Sequence, residues 1–439
     1  MMKSFARRGL NTLRRIRSRI AHESRMRDVP ELPIGSRRNV LVVTIDCLRN
    51  DRISRTGYER ETTPFIDSLE SYTSSIAAAP WTFSSVPSIL TGRYPHEHGA
   101  VYSDDSSRNQ DLNNPPNSVR EDVHTLSELF AASGYETRFD TAITTAALPI
   151  RGRFKTMNIR NQATAGDLLS GMEEWWNSTS EAKFGYVQLG DLHEPLQRPE
   201  AVPFGDVPDI DGIERWRFED GKVEHPDFAQ YRDARVLLYD TLVRYIDGEI
   251  EQTLNNLNGI EDTIVVVTSD HGEEFWEYVE FEQEHFEDPR GTAGVGHGHA
   301  LVPPVIEVPI ATNIGNIDDS RRASTVDIAP TILHELGVDD EYSTTGVPLQ
   351  RDQYSETVLS QEIAYGPNQI SVTKEEDHLI YVPEREKSIL IDFSTGEECS
   401  DPDRRDELLE YIPDEKVVGS EMDLSQDVQE QLSDLGYAE

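Results

Sequence analysis

Residues Asn39–Asp46 have the sequence NVLVVTID, a continuous apolar run that ends in a carboxylate. Such a run is typical of a parallel strand that is buried on both faces. A second run of the same kind, TIVVVTSD at Thr263–Asp270, also ends in an aspartate. Open α/β sheets bind their ligands at the carboxyl ends of parallel strands. We therefore expect Asp46 and Asp270 to lie at the edge of the sheet where a ligand binds.

Other segments complete an alternating pattern of strands and helices. Phe184–Leu189 predicts a third strand, and Val123–Ser133, which ends before Gly134, predicts a helix. Short antiparallel strands are predicted nearer the C-terminus, at Gln369–Thr373, His378–Val382 and Ser388–Phe393. The sequence thus predicts an α/β fold with a small antiparallel subdomain and an acidic tail.

The charge of the chain is strongly negative, with 81 acidic and 41 basic residues and a net charge of −40. Only seven of the basic residues are lysines. Carboxylate excess with few lysines is expected of a protein adapted to molar salt, where the Debye length is about 3 Å and self-repulsion is screened. Such a surface repels phosphate backbones, so no nucleic-acid partner is expected.

The first 27 residues are locally basic and contain no apolar core of a secretory signal, so a cytoplasmic location is expected. On a helix, leucines and isoleucines would share one side and arginines would fill the rest. Residues 1–27 could then dock on an anionic membrane surface or pack on the protein's own acidic surface. Cys47 and Cys399 are the only cysteines, which fits a reducing compartment.

The segment Pro80–Gly99 has the sequence PWTFSSVPSILTGRYPHEHG. It resembles the nucleophile segment of the alkaline phosphatase superfamily, which includes the sulfatases. In sulfatases the nucleophilic Cys stands nine positions before the Thr of a Thr-Gly-Arg motif, and here that count from Thr91 leads to Thr82. The nucleotide pyrophosphatase/phosphodiesterase branch has an unmodified Thr in this position. The resemblance implies that Thr82 is the nucleophile and that Arg93 braces the site from the other end of the helix.

The resemblance covers roughly residues 38–400 and implies an alkaline-phosphatase-like fold. This is a mixed, mainly parallel sheet flanked by helices, with a small C-terminal antiparallel subdomain. We expect a basic arm and linker at residues 1–37, a sulfatase-like catalytic domain at 38–345, and the small subdomain with the tail at 346–439.

The resemblance also implies a metal centre. Asp46, the Thr82 hydroxyl, Asp270 and His271 correspond to the family's ligands and would form a mostly oxygen site for manganese, magnesium, calcium or zinc. The family usually has two consecutive acids at the end of the first strand, whereas the second position here is Cys47. This cysteine is expected either as a small buried apolar residue or as a further ligand.

Two histidines complete the predicted cleft. His193 lies in a segment that resembles the family's Asp-x-His-x-Pro motif, and His297 lies in a His-Gly segment; in the family such residues contact the oxyanion or the leaving group. His299 and His285 are weaker candidates. One tightly bound metal is expected, although Asp191, His193 and His297 could form a weaker second site.

The resemblance implies a metal-dependent hydrolase or transferase that acts on phosphate mono- or diesters through a covalent Thr82 intermediate. One alternative is a sulfuric ester hydrolase acting on glycoconjugates. Sulfatases convert the Cys or Ser of Cys/Ser-x-Pro-x-Arg to formylglycine, but Thr82 cannot form that aldehyde and the run from Ser85 has Ile89 in place of Arg. A second alternative is a non-catalytic binding protein that retains the fold. A glycoconjugate or a lipid headgroup is the expected partner.

Overall fold

The computed structural model describes residues 22–23, 25–103, 115–338, 342, 344–351 and 355–422. The predicted basic arm therefore lies outside the described residues except for its last few positions, and the acidic tail beyond residue 422 lies outside them as well. Within the described ranges, none of the helices combines the length and the apolar character that a membrane span requires.

In the described part of the chain, an eight-stranded sheet forms the centre of the fold, in the order β10-β2-β9-β6-β1-β5-β3-β4. Its strands are β1 (Asn39–Ile45), β2 (Ser71–Ile76), β3 (Glu136–Thr141), β4 (Thr156–Ile159), β5 (Lys183–Leu189), β6 (Thr263–Thr268), β9 (Glu307–Thr312) and β10 (Ala323–Ser324). The pairs are parallel except for those of β9, which runs antiparallel to both β2 and β6. The predicted mixed, mainly parallel sheet is confirmed.

Strand β1 lies at the middle of the sheet because its apolar side chains are covered on both faces. Val40 to Ile45 are buried, and the neighbouring strands β5 and β6 are buried along their whole length. The parallel register pairs Ile45 with Leu189 and Thr44 with Thr268. The three strands therefore end at the same level, which brings the residues that follow them to one edge of the sheet.

Helices cover both faces of the sheet. Within the described residues they are α1 (Pro64–Asp67), α2 (Thr82–Thr91), α3 (Pro95–His98), α4 (Leu126–Ala132), α5 (Thr144–Ala147), α6 (Ala165–Ser178), α7 (Phe228–Asn256), α8 (Val279–His285), α9 (Pro303–Ile306), α10 (Ile328–Glu335) and α11 (Pro402–Leu409). Every residue of α2 is buried, so this helix is a core element rather than a surface one. The helix predicted at Val123–Ser133 is α4.

A separate four-stranded antiparallel sheet follows near the C-terminus, in the order β11-β12-β13-β14. Its strands are β11 (Val358–Gln361), β12 (Ile370–Lys374), β13 (Asp377–Val382) and β14 (Lys387–Asp392). Three of them match the predicted strands, so the small antiparallel subdomain is confirmed, whereas the expected boundaries at residues 37 and 345 stay predictions. A short ribbon, β7 (Glu274–Phe275) with β8 (Val295–Gly296), lies beside the carboxyl edge of the main sheet.

Candidate active site

The turn after β1 positions Asp46. The backbone N–H of Asp46 donates to Leu189 at 2.9 Å, which continues the pairing with β5 for one more residue. Cys47 then takes the left-handed conformation, with a φ of 64°, and this reverses the chain. A non-glycine residue in this conformation is uncommon and strained, and strained residues of this kind cluster at active sites. Tyr239 stabilises the turn by donating its hydroxyl to the Cys47 carbonyl at 2.6 Å.

Ser269 holds the turn after β1 against the turn after β6. Its hydroxyl oxygen lies 2.6 Å from the carbonyl oxygens of Ile45 and His271, and it accepts from the Leu48 N–H at 3.0 Å. Asp46 on one turn and the pair Asp270–His271 on the other are thereby fixed relative to each other. The sequence contains Ser269 directly before the Asp-His pair, but no pattern assigned it this role.

Thr82 is the first residue of α2, and its side chain points to the same edge of the sheet. Its Oγ1 lies 3.2 Å from His271 Nε2. The first hydrogen bond of the helix runs from the Ser85 N–H to the Trp81 carbonyl, so the amides of Thr82 and the next two residues precede it. Such amides, together with the positive end of the helix dipole, bind anions.

The carboxylates of Asp46 and Asp270 and the imidazole of His271 converge next to Thr82. Each offers one ligand atom, and these atoms lie within 4.8 Å of one another. His271 Nε2 is 3.2 Å from Asp46 Oδ1 and 3.6 Å from Asp270 Oδ2. All three side chains are fully buried, yet Asp46 Oδ2 and both oxygens of Asp270 accept no hydrogen bond. Buried carboxylate oxygens without donors are costly, so this donor set fits a divalent cation.

The charges of this cluster interact strongly. Burial raises the pKa of the Asp270 carboxyl. Burial also disfavours the charged form of His271, but the Asp270 and Asp46 carboxylates outweigh this and raise its pKa to about 9. A proton on His271 therefore balances part of the negative charge when no metal is bound. A metal ion would take the place of that proton, because only the neutral imidazole is a ligand.

His297 and His193 lie beside the fully buried cluster and are themselves only partly buried. The ring of His297 is 4.2 Å from that of His271 and 5.4 Å from that of His193, measured between centroids. His297 Nδ1 lies 3.0 Å from Glu273 Oε1, and His193 Nδ1 lies 2.8 Å from the Glu194 carbonyl oxygen. Each acceptor orients its ring with Nδ1 as the donor. No sequence pattern indicates this contact between Glu273 and His297.

Cys47 belongs to the cluster by distance. Its thiol donates to Asp46 Oδ1 at 3.3 Å, and its Sγ lies 3.6 Å from His297 Nδ1. Burial and the Asp46 carboxylate raise the pKa of the thiol, which favours the protonated form without a metal. The position of the second family acid is thus filled by a thiol that faces the same centre.

Arg93 and Asp191 lie outside the cluster, and the bracing role expected of Arg93 from the other end of the helix stays a prediction. Arg93 follows the C-terminal end of α2, about 16 Å along the helix from Thr82 at 1.5 Å per residue, and its guanidinium interacts with Tyr342. It does not join the cluster of Asp46, Asp270 and His271. Asp191 accepts from the Ala165 N–H at 3.1 Å at the start of α6, so it caps that helix. Among the described residues it forms no three-ligand group with His193 and His297.

Comparison with known proteins identifies the family of the chain. A model of the Sulfatase family matches residues 38–338. The low-salt glycan biosynthesis sulfotransferase Agl7 of Haloferax volcanii is 27% identical over 278 residues, which are 60% of this chain and 54% of that protein. The chain thus spans about half the length of this curated relative. The relative's origin is consistent with the salt adaptation expected from the composition.

Solved structures of similar fold include a phosphonate monoester hydrolase and a protein bound to a disulfated glucosamine. The phosphonate monoester hydrolase of Agrobacterium radiobacter is 15% identical, with a TM-score of 0.60 and coverage of 85% of this chain and 94% of that one. BT4656 in complex with its substrate D-glucosamine-2-N,6-O-disulfate is 14% identical, with a TM-score of 0.62 and coverage of 91% and 98%. At these identities the likeness shows the fold alone.

Proposed function

Because this chain belongs to the sulfatase family, whose members act on sulfate or phosphate esters, we propose that it transfers or hydrolyses phosphate esters through a covalent ester on Thr82. The observation that carries the proposal is the position of the Thr82 hydroxyl. It lies at the N-terminus of α2, and its oxygen is 3.2 Å from His271 Nε2. An unmodified threonine cannot form the formylglycine of true sulfatases. The nucleophile is therefore the hydroxyl itself.

The chain's own residues supply most of the catalytic requirements. Thr82 Oγ1 attacks the phosphorus atom in line, the bond to the leaving oxygen breaks, and the hydroxyl proton is lost to solvent or to a nearby base. The free amides at the start of α2 donate to the non-bridging oxygens of the substrate. Asp46, Asp270 and His271 would hold a divalent cation, which when bound lowers the pKa of the hydroxyl and neutralises developing negative charge.

The two imidazoles are placed to serve the leaving group. His193 and His297 stand on the open side of the cluster, and Nδ1 of each is oriented by an acceptor. The Nε2 atoms are then the groups that exchange protons with the leaving oxygen or with the incoming water or alcohol. The second step reverses the first, since an acceptor oxygen attacks phosphorus and Thr82 regains its proton.

A glycoconjugate is the substrate class that the surroundings favour. Beside His193 lies a small cavity of about 50 Å³, lined by Gln162, Gln197 and the exposed Arg215. Amides and a guanidinium are groups that hydrogen-bond sugar hydroxyls and anionic substituents. The bound disulfated glucosamine of one structural neighbour and the glycan-related name of the Haloferax relative support the same class.

The test is turnover of p-nitrophenyl phosphate and bis-p-nitrophenyl phosphate in molar KCl with added manganese. We expect Thr82→Val, which keeps the shape and removes the hydroxyl, to abolish turnover, and chelation to do the same. Ser85→Ala is the matched control, because the Ser85 hydroxyl is already donated to the Ala79 carbonyl at 2.7 Å. Turnover that survives Thr82→Val but not Ser85→Ala would contradict the proposal.

Sulfuryl transfer is the second candidate, favoured by the printed name of the Haloferax relative. The same hydroxyl would attack sulfur and pass the group to an alcohol. Including p-nitrophenyl sulfate, with and without a sugar acceptor, separates the two chemistries. Sulfate turnover that exceeds phosphate turnover and requires Thr82 would select this candidate, whereas metal binding without turnover of any ester would indicate a non-catalytic protein.

A further inference from the structure

Three buried polar side chains form a second cluster next to the candidate active site. Glu274 lies on β7, Glu282 on α8, and His299 three residues after β8. Their exposed fractions are 0%, 4% and 5%. His299 Nε2 is 2.9 Å from Glu282 Oε1 and 3.4 Å from Glu274 Oε2.

The atoms that face one another in this cluster accept or donate no hydrogen bond of good geometry. These atoms are Glu274 Oε2, Glu282 Oε1 and His299 Nε2. The other carboxylate oxygens are satisfied: Glu274 Oε1 accepts from the Tyr278 N–H at 2.8 Å, and Glu282 Oε2 accepts from the Gly294 N–H at 2.6 Å. The backbone therefore locks each carboxylate so that its second oxygen points at the same spot. Outer hydrogen bonds of this kind orient ligands in metal centres.

The spacing and the charge of the cluster fit a metal ion. Ligand atoms in a tetrahedral zinc site, with bonds of about 2.0–2.1 Å, are about 3.3 Å apart. Without a metal ion, the two negative charges of Glu274 and Glu282 would be balanced by only one positive charge, that of a protonated His299. The nearby guanidinium of Arg290 is already paired with Asp288 at 2.5 Å and stacks on Tyr365. Buried carboxylates that are not fully compensated are costly, and a divalent ion removes that cost.

We propose that Glu274, Glu282 and His299 bind a divalent transition-metal ion, separate from the one at the candidate active site. Two carboxylates and one imidazole suit zinc or manganese rather than calcium or a soft ion. The site differs from the active site in every ligand.

The β7–β8 ribbon connects the two sites. Glu273, the residue before β7, has its Oε1 3.0 Å from His297 Nδ1, and Glu274, the first residue of β7, has its Oε2 3.4 Å from His299 Nε2. A metal ion bound by Glu274 and His299 would join the ribbon to α8 through Glu282. It would thereby hold His297 in place without touching the substrate, which is a positioning role.

The test is a metal count that does not depend on turnover. The full-length chain is stripped with a chelator, dialysed against zinc in molar KCl, and analysed for metal and protein content. We expect two equivalents for the wild type, one for Asp270→Asn, one for Glu282→Gln, and none for the double variant. Glu280→Gln is the matched control, because this carboxylate lies on the same helix but is exposed to solvent, away from the cluster. It should keep both equivalents.

A spectroscopic measurement covers the case in which Glu282→Gln fails to fold. Cobalt is added to the folded Asp270→Asn variant and, in parallel, to the double variant that carries Asp270→Asn and His299→Gln. We expect visible ligand-field absorption that His299→Gln removes while circular dichroism stays unchanged. If Asp270→Asn binds no zinc and gives no cobalt absorption, the cluster holds only a shared proton and the proposal is wrong. That result would leave the Thr82 reaction untouched.

Discussion

Replacing Gly272 by alanine is expected to disable the candidate active site by displacing its backbone. Gly272 lies between His271 and Glu273, and its N–H donates to the Val305 carbonyl at 2.7 Å. A Cβ at this position would lie 2.1 Å from the Pro304 carbonyl oxygen. Because non-bonded carbon and oxygen atoms stay more than 3 Å apart, the segment must shift by about 1 Å. A 1 Å displacement in an active site costs about 100-fold in rate, and overpacking costs about 1–3 kcal/mol of stability.

The assay compares Gly272→Ala with wild type for ester turnover, bound metal and thermal unfolding midpoint, in molar KCl. Gly248→Ala is the matched control. Gly248 lies within α7, its added Cβ would meet only Arg244 Nη1 at 3.8 Å, and alanine there should stabilise the helix by about 0.5–1 kcal/mol. Wild-type turnover and an unchanged midpoint in Gly272→Ala would refute the argument, because the loop would then not be packed against α9 as described.

Three further predictions concern residues around the site and in the core. Glu273→Gln should lower turnover by about 10- to 100-fold without loss of folding, because the carboxylate that orients His297 is replaced by an amide; wild-type kinetics would exclude that role. Glu128→Gln should lower the free energy of unfolding by about 3–5 kcal/mol, measured with urea, since the buried Arg153 would lose its 2.7 Å partner. Burial lowers the pKa of His98 to about 3, so the unfolded chain binds a proton below pH 6.5 that the folded chain does not. The contribution of His98 to stability should therefore be complete above pH 6.5 and fall by up to about 1.4 kcal/mol per pH unit below it, and His98→Gln should reduce the slope of stability against pH by that amount between pH 6.5 and 5.

The sheet could be predicted because its central strands are encoded locally. A short continuous apolar run rich in β-branched residues, such as Asn39–Asp46, is typical of a strand covered on both faces, and Thr263–Asp270 repeats the pattern. The antiparallel position of β9 could not be predicted, since its residues Glu307–Thr312 pair with β2 and β6 through contacts distant in sequence. The position of a strand within a sheet depends on such contacts and not on its own side chains.

The cluster around Thr82 was predictable from motifs, but its supporting residues were not. Asp46, Thr82, Asp270 and His271 stand in recognisable segments, and the structure brings them together. Ser269 acts through one hydroxyl that contacts backbone groups of another turn, so only the three-dimensional arrangement shows its role. A serine before Asp-His carries no pattern of its own in a single sequence.

The central position of β1 has a consequence for how the protein matures. Its two neighbours, β5 and β6, lie about 140 and 220 residues further along the chain. A nascent chain whose synthesis has not yet reached residue 271 therefore cannot bring Asp46 and His271 together. Pairing over such separations is slow, because loop closure precedes any gain from contacts. We expect the polypeptide to build its sheet first and to acquire its cation only late in biogenesis, so that metal starvation should yield folded apoprotein rather than aborted nascent chains.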